Sequence, residues 1–392
     1  VELAALGTIA DVVPLLGENR SLAAAGLDRL NRDPQVPGLA ALKAVSRIEG
    51  DVTAYHVAFG LGPRLNAAGR IADASAGVAL LTEDDPESAL AIAEQLDRDN
   101  EERRRIERLV DEQADRFLRD RGDPGRERAL VAWGEGWHPG VVGIVAARIA
   151  ERYYRPAVVL TVEGERARGS ARGIPGLNLF EALSCCSELF EAFGGHEGAA
   201  GMTLRSERLE EFRERFCAAV SERIGDRALV PVLAYEEVVG LDELTLALAE
   251  EAERLAPFGA GNPSPVFVAR GVELKARPVG KDQSHLKFTI LREGTTRSVD
   301  GIGFGLAEKV AERLEPGGRY DIAFVPQVNE WNGTRSFSAQ VRDVRRAEAA
   351  LSGAPASRVE VAAARDPVAL RDPIPPPRNV NVVDRRGVEP RR

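Results

Sequence analysis

Cysteine is nearly absent from these 392 residues: three in all, two of them adjacent (Cys185 and Cys186). That excludes a disulfide framework and any zinc-ligand spacing, and it points to a reducing cytoplasm. No apolar run reaches the length that spans a bilayer and no signal-peptide pattern opens the chain, so no membrane partner is expected. Lysine is scarce too: five of the 52 basic residues (Lys43, Lys275, Lys281, Lys287 and Lys309), the rest being arginine. There is no internal repeat and no cluster of aspartate with histidine. An initiator methionine is also missing. The chain opens at Val1 inside an apolar run, VELAALGTIADVVPLL, and reads as the later part of a longer one.

What is present describes a globular protein of two or three domains, with 44% hydrophobic and 29% charged residues. A net charge of −9 argues weakly against nucleic acid. The arginine excess either reflects codon usage or supplies local, bidentate phosphate sites that outweigh the global sign.

Residues 1–80 read as the end of an α/β domain, in which AALGTIADVV is a short apolar run ending in a carboxylate. A long helix should start at Asp85 as cap with Pro86 in its first position, and continue to about Arg119. Its middle, DRDNEERRR, has no apolar residue, as in helices that bridge domains through solvent. From Glu127, strands and helices alternate as in a compact α/β domain, with NLFEALSCCSELFEAFGG as one helix and AAGMTL as a strand. After Val230, short strands with one inserted helix suggest an oligonucleotide-binding (OB) barrel, with Asn332-Gly333 as a two-residue hairpin. The tail from 347 to 392 is Ala-, Pro- and Arg-rich and is expected to be disordered.

Several strings could carry chemistry. TIADVVPL places Asp11 at the end of an apparent buried strand, as a metal ligand or as a turn residue ahead of Pro14. GPRLNAAGR offers Arg64, Asn66 and Arg70 to phosphates, or is a turn between helices with solvated arginines. GWHPGVVGIVAARIAE sets His138 before an apolar helix, where backbone N–H groups attract anions; otherwise His138 only leads the chain in. In RARGSARG, Ser170 and Arg172 alternate onto one face of an extended run, a phosphate cradle or a solvated edge strand. In AFGGHEGAAGMTL, a helix C-cap explains Gly194 or Gly195 but not Gly198, Gly201 or the histidine between. His196 is therefore the candidate catalytic residue, with Gly195 beside it. In the barrel, Phe267, Phe288, Phe304, Phe324, Trp331 and Phe337 offer stacking surfaces or fill the interior. Trp331, beside the Asn-Gly turn and flanked by Lys281, Lys287 and Arg335, is the one expected to be exposed for substrate.

In sequence, ALGTIADVVPL, GPRLNAAGR, GWHPGVVGIVAARI, GSARGIPGLNLFEAL, GGHEGAAGM, LAPFGAGNPSPVF and VNEWNGTRSFSAQVRDVR resemble the bacterial RecJ family. These are single-strand-specific exonucleases among the DHH phosphoesterases, and the resemblance runs to about Arg346. It implies an α/β fold: the end of a DHH-type α/β domain (1–80), a connecting helix (81–121), a DHH-associated α/β substrate-binding domain (122–229) and a C-terminal OB-fold β-barrel (230–346). It further implies a 5′-to-3′ exonuclease on single-stranded DNA in recombination and repair, using Mn²⁺ or Mg²⁺, with a single-strand-binding protein or a helicase as partner. By the same resemblance Asp11 is a metal ligand, Arg64, Asn66 and Arg70 face the cleft, Ser170 and Arg172 hold the DNA end, and His196 lies in a substrate-contacting turn. The upstream aspartate motifs and the Asp-His-His triplet are missing, so this chain alone is expected to be inactive. GSARG also departs from the commoner form with serine after the arginine. Two alternatives stay open: a DHH phosphodiesterase acting on oligonucleotides or cyclic dinucleotides, and a non-catalytic single-strand-binding module.

Overall fold

Residues 1–32, 36–291, 298–331 and 333–347 are described by a computed structural model, the side chains of Glu312 and Trp331 excepted. The expected disordered tail beyond Ala347, and Asn332 of the hairpin pair, lie outside the described residues. Helices α1 (Glu2–Ala10), α2 (Gly17–Arg32), α3 (Pro37–Val45), α4 (Ala54–His56), α5 (Gly62–Ile71) and α6 (Ser75–Thr82) come first. The run ALGTIAD is thus helical, and Asp11 caps a helix C-terminus instead of ending a strand. Among the described residues the chain forms two compact units, one from 1–32, 50–58 and 232–347, the other from 36–49 and 59–231.

The second unit is organised by α7 (Pro86–Asp120). Asp85 accepts a hydrogen bond from the Ser88 N–H at 2.8 Å and Pro86 occupies the first turn, as the sequence requires. At 35 residues this helix is about 52 Å long. Its middle does not pass through solvent. Asn100, Arg103 and Glu107 are buried on the same stripe as Ala89, Ala93, Leu96, Val110, Ala114 and Leu118. Arg103 donates to Glu107 at 2.6 Å and to Asn100 at 2.9 Å. The expectation failed because the remaining partners arrive some forty residues later, on α8 (Pro139–Tyr153). Arg148 stands 2.5 Å from Glu107, and Arg152 spans Asp111 at 2.6 Å and Asp115 at 2.7 Å.

Strands β1 (Leu130–Glu135), β2 (Ala157–Glu163), β3 (Arg166–Arg172), β4 (Phe190–His196) and β5 (Ala199–Arg205) form a sheet of order β1-β2-β3-β5-β4. The β1–β2 pair is parallel, the others antiparallel. Val141, Val145 and Ile149 of α8 pack with Leu130, Ala157 and Val159 on one face. On the other, α9 (Leu179–Ser184) and α10 (Leu209–Ile224) bury Leu183, Phe212 and Phe216 against Ala171, Ala200 and Met202. The stretch read as one helix through Gly195 breaks after Ser184, passes a short 3-10 turn (Ser187–Leu189) and becomes the edge strand β4. Strand β5 needs a partner on that side, and Phe193 meets Met202 across the pair. Gly195 serves close approach rather than a helix cap: a Cβ there would stand 2.3 Å from the Ala199 carbonyl oxygen.

In the first unit, β6 (Glu237–Val238) and α11 (Leu246–Glu253) precede β7 (Phe267–Val279), β8 (His285–Leu291) and β9 (Ser298–Gly303). After α12 (Ala307–Val310) come β10 (Arg319–Trp331) and β11 (Thr334–Arg346). Pairing runs β7-β8-β9-β11-β10, and β10 returns to β7, closing a five-stranded barrel around Phe288, Ile290, Tyr320, Ile322 and Phe324. Trp331 pairs with Thr334, the register of a two-residue hairpin, and Gly333 takes φ +75°. Helices α1 and α2 belong to this unit: the Leu15 N–H donates to the Ala260 carbonyl at 2.7 Å, and Gly259 leaves room for the Leu15 side chain.

Candidate functional site

The densest set of candidate residues lies where α8 crosses β3. Strand alternation puts Ser170 and Arg172 on one face. The register carries that face across the sheet: Arg172 opposes Ala199, which opposes His196, while Ser170 opposes Gly201, which opposes Gly194. Between β3 and the histidine the floor is therefore made of small residues. Gly143, one turn into α8, completes the cradle. A Cβ there would lie 3.3 Å from both an Arg172 guanidinium nitrogen and the Ser170 hydroxyl.

Arg172 is 6% exposed, and its hydrogen bond is to the carbonyl of its own neighbour, Ala171, at 2.9 Å. Among the described residues no carboxylate pairs with it. Burial lowers its pKa to about 10, so it remains a cation at neutral pH. A buried cation without a counter-ion is costly unless an anion completes it. That is the chemistry of an anion receptor.

The start of α8 adds to it. His138 is the N-cap, and its Nδ1 accepts from the Gly140 N–H at 3.1 Å. No acidic residue occupies the first turn, so the positive end of the helix is left unneutralised. Arg70, in the last turn of α5, donates to the Gly140 carbonyl at 3.2 Å. A Cβ on Gly140 would fall 2.2 Å from the Arg70 carbonyl oxygen, so this approach requires glycine.

His196 repeats the His138 arrangement, its Nδ1 accepting from the Gly198 N–H at 3.2 Å. With Nδ1 accepting in each, the ring proton is on Nε2, which points a donor away from its own turn. His196 is exposed. The turn behind it is tied down: Gly173 donates to the Gly198 carbonyl and Leu179 to the Glu197 carbonyl, both at 2.9 Å. A Cβ on Gly173 would press to 3.3 Å on that Glu197 oxygen, so the close approach favours glycine.

Other candidates fall elsewhere. Arg64 is taken up by structure, donating to Asp97 at 2.8 Å and to the Gly60 carbonyl at 2.8 Å, which fastens α5 to α7. Asn66 is exposed on α5. Asp11 belongs to the other unit, in a turn where the Val12 N–H bonds Ile9 and the Val13 N–H bonds Thr8, with Val12 at φ +55°. That closes a helix with the geometry glycine normally supplies, strained for a β-branched residue. Among the described residues no group of three or more His, Cys, Asp or Glu could hold a metal ion. Mn²⁺ or Mg²⁺ takes about six ligands, mostly oxygens, so Asp11 alone does not fit such a group. The Trp331 side chain lies outside the described residues; of its expected flankers, Arg335 pairs with Glu250 at 2.8 Å and Lys287 lies 3.6 Å from Asp300. Of the barrel aromatics, Phe288 and Phe324 are interior and Phe304 is exposed. Gly140 and Gly143 were not singled out from sequence, although glycines three apart on one helix were visible in GVVG.

Residues 126–222 match the family model of the DHHA1 domain, and residues 235–343 that of the RecJ OB domain. The single-stranded-DNA-specific exonuclease RecJ of Bacillus subtilis is 38% identical over 346 residues, 88% of this chain and 43% of that protein. The Escherichia coli protein of the same name is 34% identical over 356 residues, 88% of this chain and 60% of its own length. Among solved structures, RecJ from Thermus thermophilus in complex with Mn²⁺ superposes with a TM-score of 0.75 at 32% identity, covering 89% of this chain and 50% of that one. The same protein is also known in complex with Mg²⁺. The chain spans about half the length of the curated relatives it matches. No described helix is long and apolar enough to cross a membrane.

Proposed function

We propose, on the premise that this chain is a RecJ homologue with a DHHA1 domain ahead of a RecJ OB domain, that its second unit grips the 5′-phosphorylated end of single-stranded DNA for 5′-to-3′ exonucleolytic digestion in recombination and repair. One observation carries the reading: Arg172 is buried as a cation without a carboxylate, packed with Ser170 against Gly143. A terminal phosphate supplies the missing charge and accepts from the guanidinium and the Ser170 hydroxyl, with the positive end of the α8 dipole adding a favourable field. Arg70 and His138 hold the rim of that helix end. His196, at the far side of the small-residue floor, donates its Nε2 proton to a phosphate oxygen further along the strand and fixes the scissile bond in place.

Bound Mn²⁺ or Mg²⁺ would activate water and neutralise the phosphate in the hydrolytic step. The donor set described here does not hold such an ion, so this chain by itself is read as a strand-binding module. The absence of a metal cluster among the described residues favours that second reading over hydrolysis by this chain alone. A barrel that matches the RecJ OB domain argues against the smaller phosphodiesterases. Three free thiols support a reducing cytoplasm, and a single-strand-binding protein or helicase is the partner class this reading calls for.

The test is fluorescence anisotropy of the full chain with one short oligonucleotide, 5′-phosphorylated against 5′-hydroxyl. The phosphorylated strand should bind about tenfold or more tightly, a preference that Arg172→Ala removes. Equal affinity for both ends in the unmodified chain overturns the end-binding reading.

A further inference from the structure

We propose that Arg168 is a second phosphate contact for the strand whose end Arg172 holds, making β3 a two-cation track; the proposal rests on the end-binding reading above. Four residues of β3 share the face that carries Arg172: Arg166, Arg168, Ser170 and Arg172. The outer end of this face is neutralised. Arg166 pairs with Glu191 at 2.8 Å, and Arg205, opposite it on β5, pairs with Glu165 at 2.9 Å. Arg168 is exposed, and no hydrogen bond or ion pair holds it among the described residues. Other surface arginines of the same unit are matched in some cases, as in Arg105–Glu102 and Arg119–Asp115, and unmatched among the described residues in others, as at Arg104 and Arg108; what sets Arg168 apart is that it shares the face of β3 that carries Arg172.

What lies beside Arg168 shows where the strand would run. Across the sheet from Arg168, Ser170 and Arg172 stand Thr203, Gly201 and Ala199 of β5, then Ala192, Gly194 and His196 of β4. Apart from His196, nothing on that floor is larger than threonine, and none of these residues carries a negative charge. Arg172 and Arg168 are four residues apart, about 13 Å along the strand. A polyanion lying on this floor thus meets a buried cation at its end and an exposed one a few nucleotides on. Burial differs as the roles require: the enclosed guanidinium recognises a terminus, and the open one tracks a continuing backbone.

The full chain would be titrated, by anisotropy at several salt concentrations, with a 5′-phosphorylated thymidine dinucleotide and with a 5′-phosphorylated thymidine oligonucleotide longer than the track. Arg168→Ala should weaken the oligonucleotide roughly 3- to 10-fold and lower the slope of log affinity against log salt by about 0.7, the value for one contact to a single strand. Dinucleotide affinity and the preference for a 5′-phosphate should not change. Arg166→Ala, an exposed arginine on the same face already paired with Glu191, should change neither, and Arg168→Lys should keep most of the affinity. Oligonucleotide binding by Arg168→Ala equal to that of Arg166→Ala overturns the track and leaves the end-binding reading untouched. Loss of the phosphate preference in Arg168→Ala also overturns it, by placing Arg168 in the end pocket. Retention of that preference in Arg172→Ala overturns the end-binding reading instead, and with it the place of Arg168 as second contact.

Discussion

Two buried arginines sit on either side of α8, and they are treated in opposite ways. In the seam with α7, Arg103 meets Glu107 and Asn100, and Glu107 in turn meets Arg148. In the cradle with β3, Arg172 meets, among the described residues, only the carbonyl of Ala171. The seam satisfies its charges within the protein and so serves the fold. The cradle leaves one charge unanswered, which is what a site for an external anion needs. Burial of arginine alone does not separate structure from function; the presence of a carboxylate does.

The sharpest way to break this comparison is to remove the seam's acid. Glu107 is 1% exposed, so Glu107→Gln leaves two guanidinium groups facing a neutral amide. We expect a loss of about 3–5 kcal/mol, read from urea unfolding followed by Trp133 and Trp137 fluorescence. A loss below about 1 kcal/mol would mean the seam is not a structural ion cluster. The counterpart is Arg172→Met. Removing an unpaired buried charge should leave stability unchanged or raise it, while 5′-phosphate preference falls about tenfold or more. Destabilisation comparable to Glu107→Gln would assign Arg172 to the fold.

The two glycines of α8 sharpen the contrast at smaller scale. Gly140 faces a backbone oxygen that cannot yield, and Gly140→Ala should cost about 1–2 kcal/mol. Gly143 faces side-chain atoms that can move, so Gly143→Ala should lower phosphate affinity a fewfold with little change in melting temperature. The smallest effects are those of pH. Burial raises the Asp115 pKa, but hydrogen bonds from Tyr153, Arg119 and Arg152 outweigh it and hold the carboxyl below its ordinary 3.8. A carboxyl depressed in the folded state contributes stability that is present above that ordinary value and lost as pH falls through the folded one. Acid unfolding of the seam should therefore begin only below about pH 4. Phosphate preference should fade in the other direction, as pH rises past about 10 and Arg172 loses its proton, and Arg172→Met should abolish that alkaline limb.

Much of the site could be read from the sequence, because its signals are local. The alternation in GSARG, the cap at Asp85 and the Asn-Gly register between Trp331 and Thr334 each need only a few adjacent residues. Failures arose where the deciding partner is distant in sequence. DRDNEERRR looked solvated because its buried Arg103 pairs with Glu107, whose second partner is the distant Arg148, and the glycines before His196 looked like a helix end because β5 was needed to demand an edge strand. Arg64 and Arg70 share a motif and were indistinguishable; Asp97 claims the first, and the start of α8 receives the second. Asp11 ended an apolar run that suits a strand or a helix equally, and its packing against α2 decided for helix.

The clasp between Leu15 and Ala260 bears on how the protein is made. Its two halves are separated by most of the chain, so on a ribosome the first two helices emerge well before the barrel that completes their unit. At about 5–20 residues per second that interval is on the order of tens of seconds. Throughout it, Pro14, Leu15 and Leu16, which later face the loop of Gly259 and Gly261, lack that partner. The segment that carries the phosphate cradle, 138–198, is made within that interval. Synthesis thus delays the Leu15–Ala260 clasp until every residue of the phosphate cradle has been made.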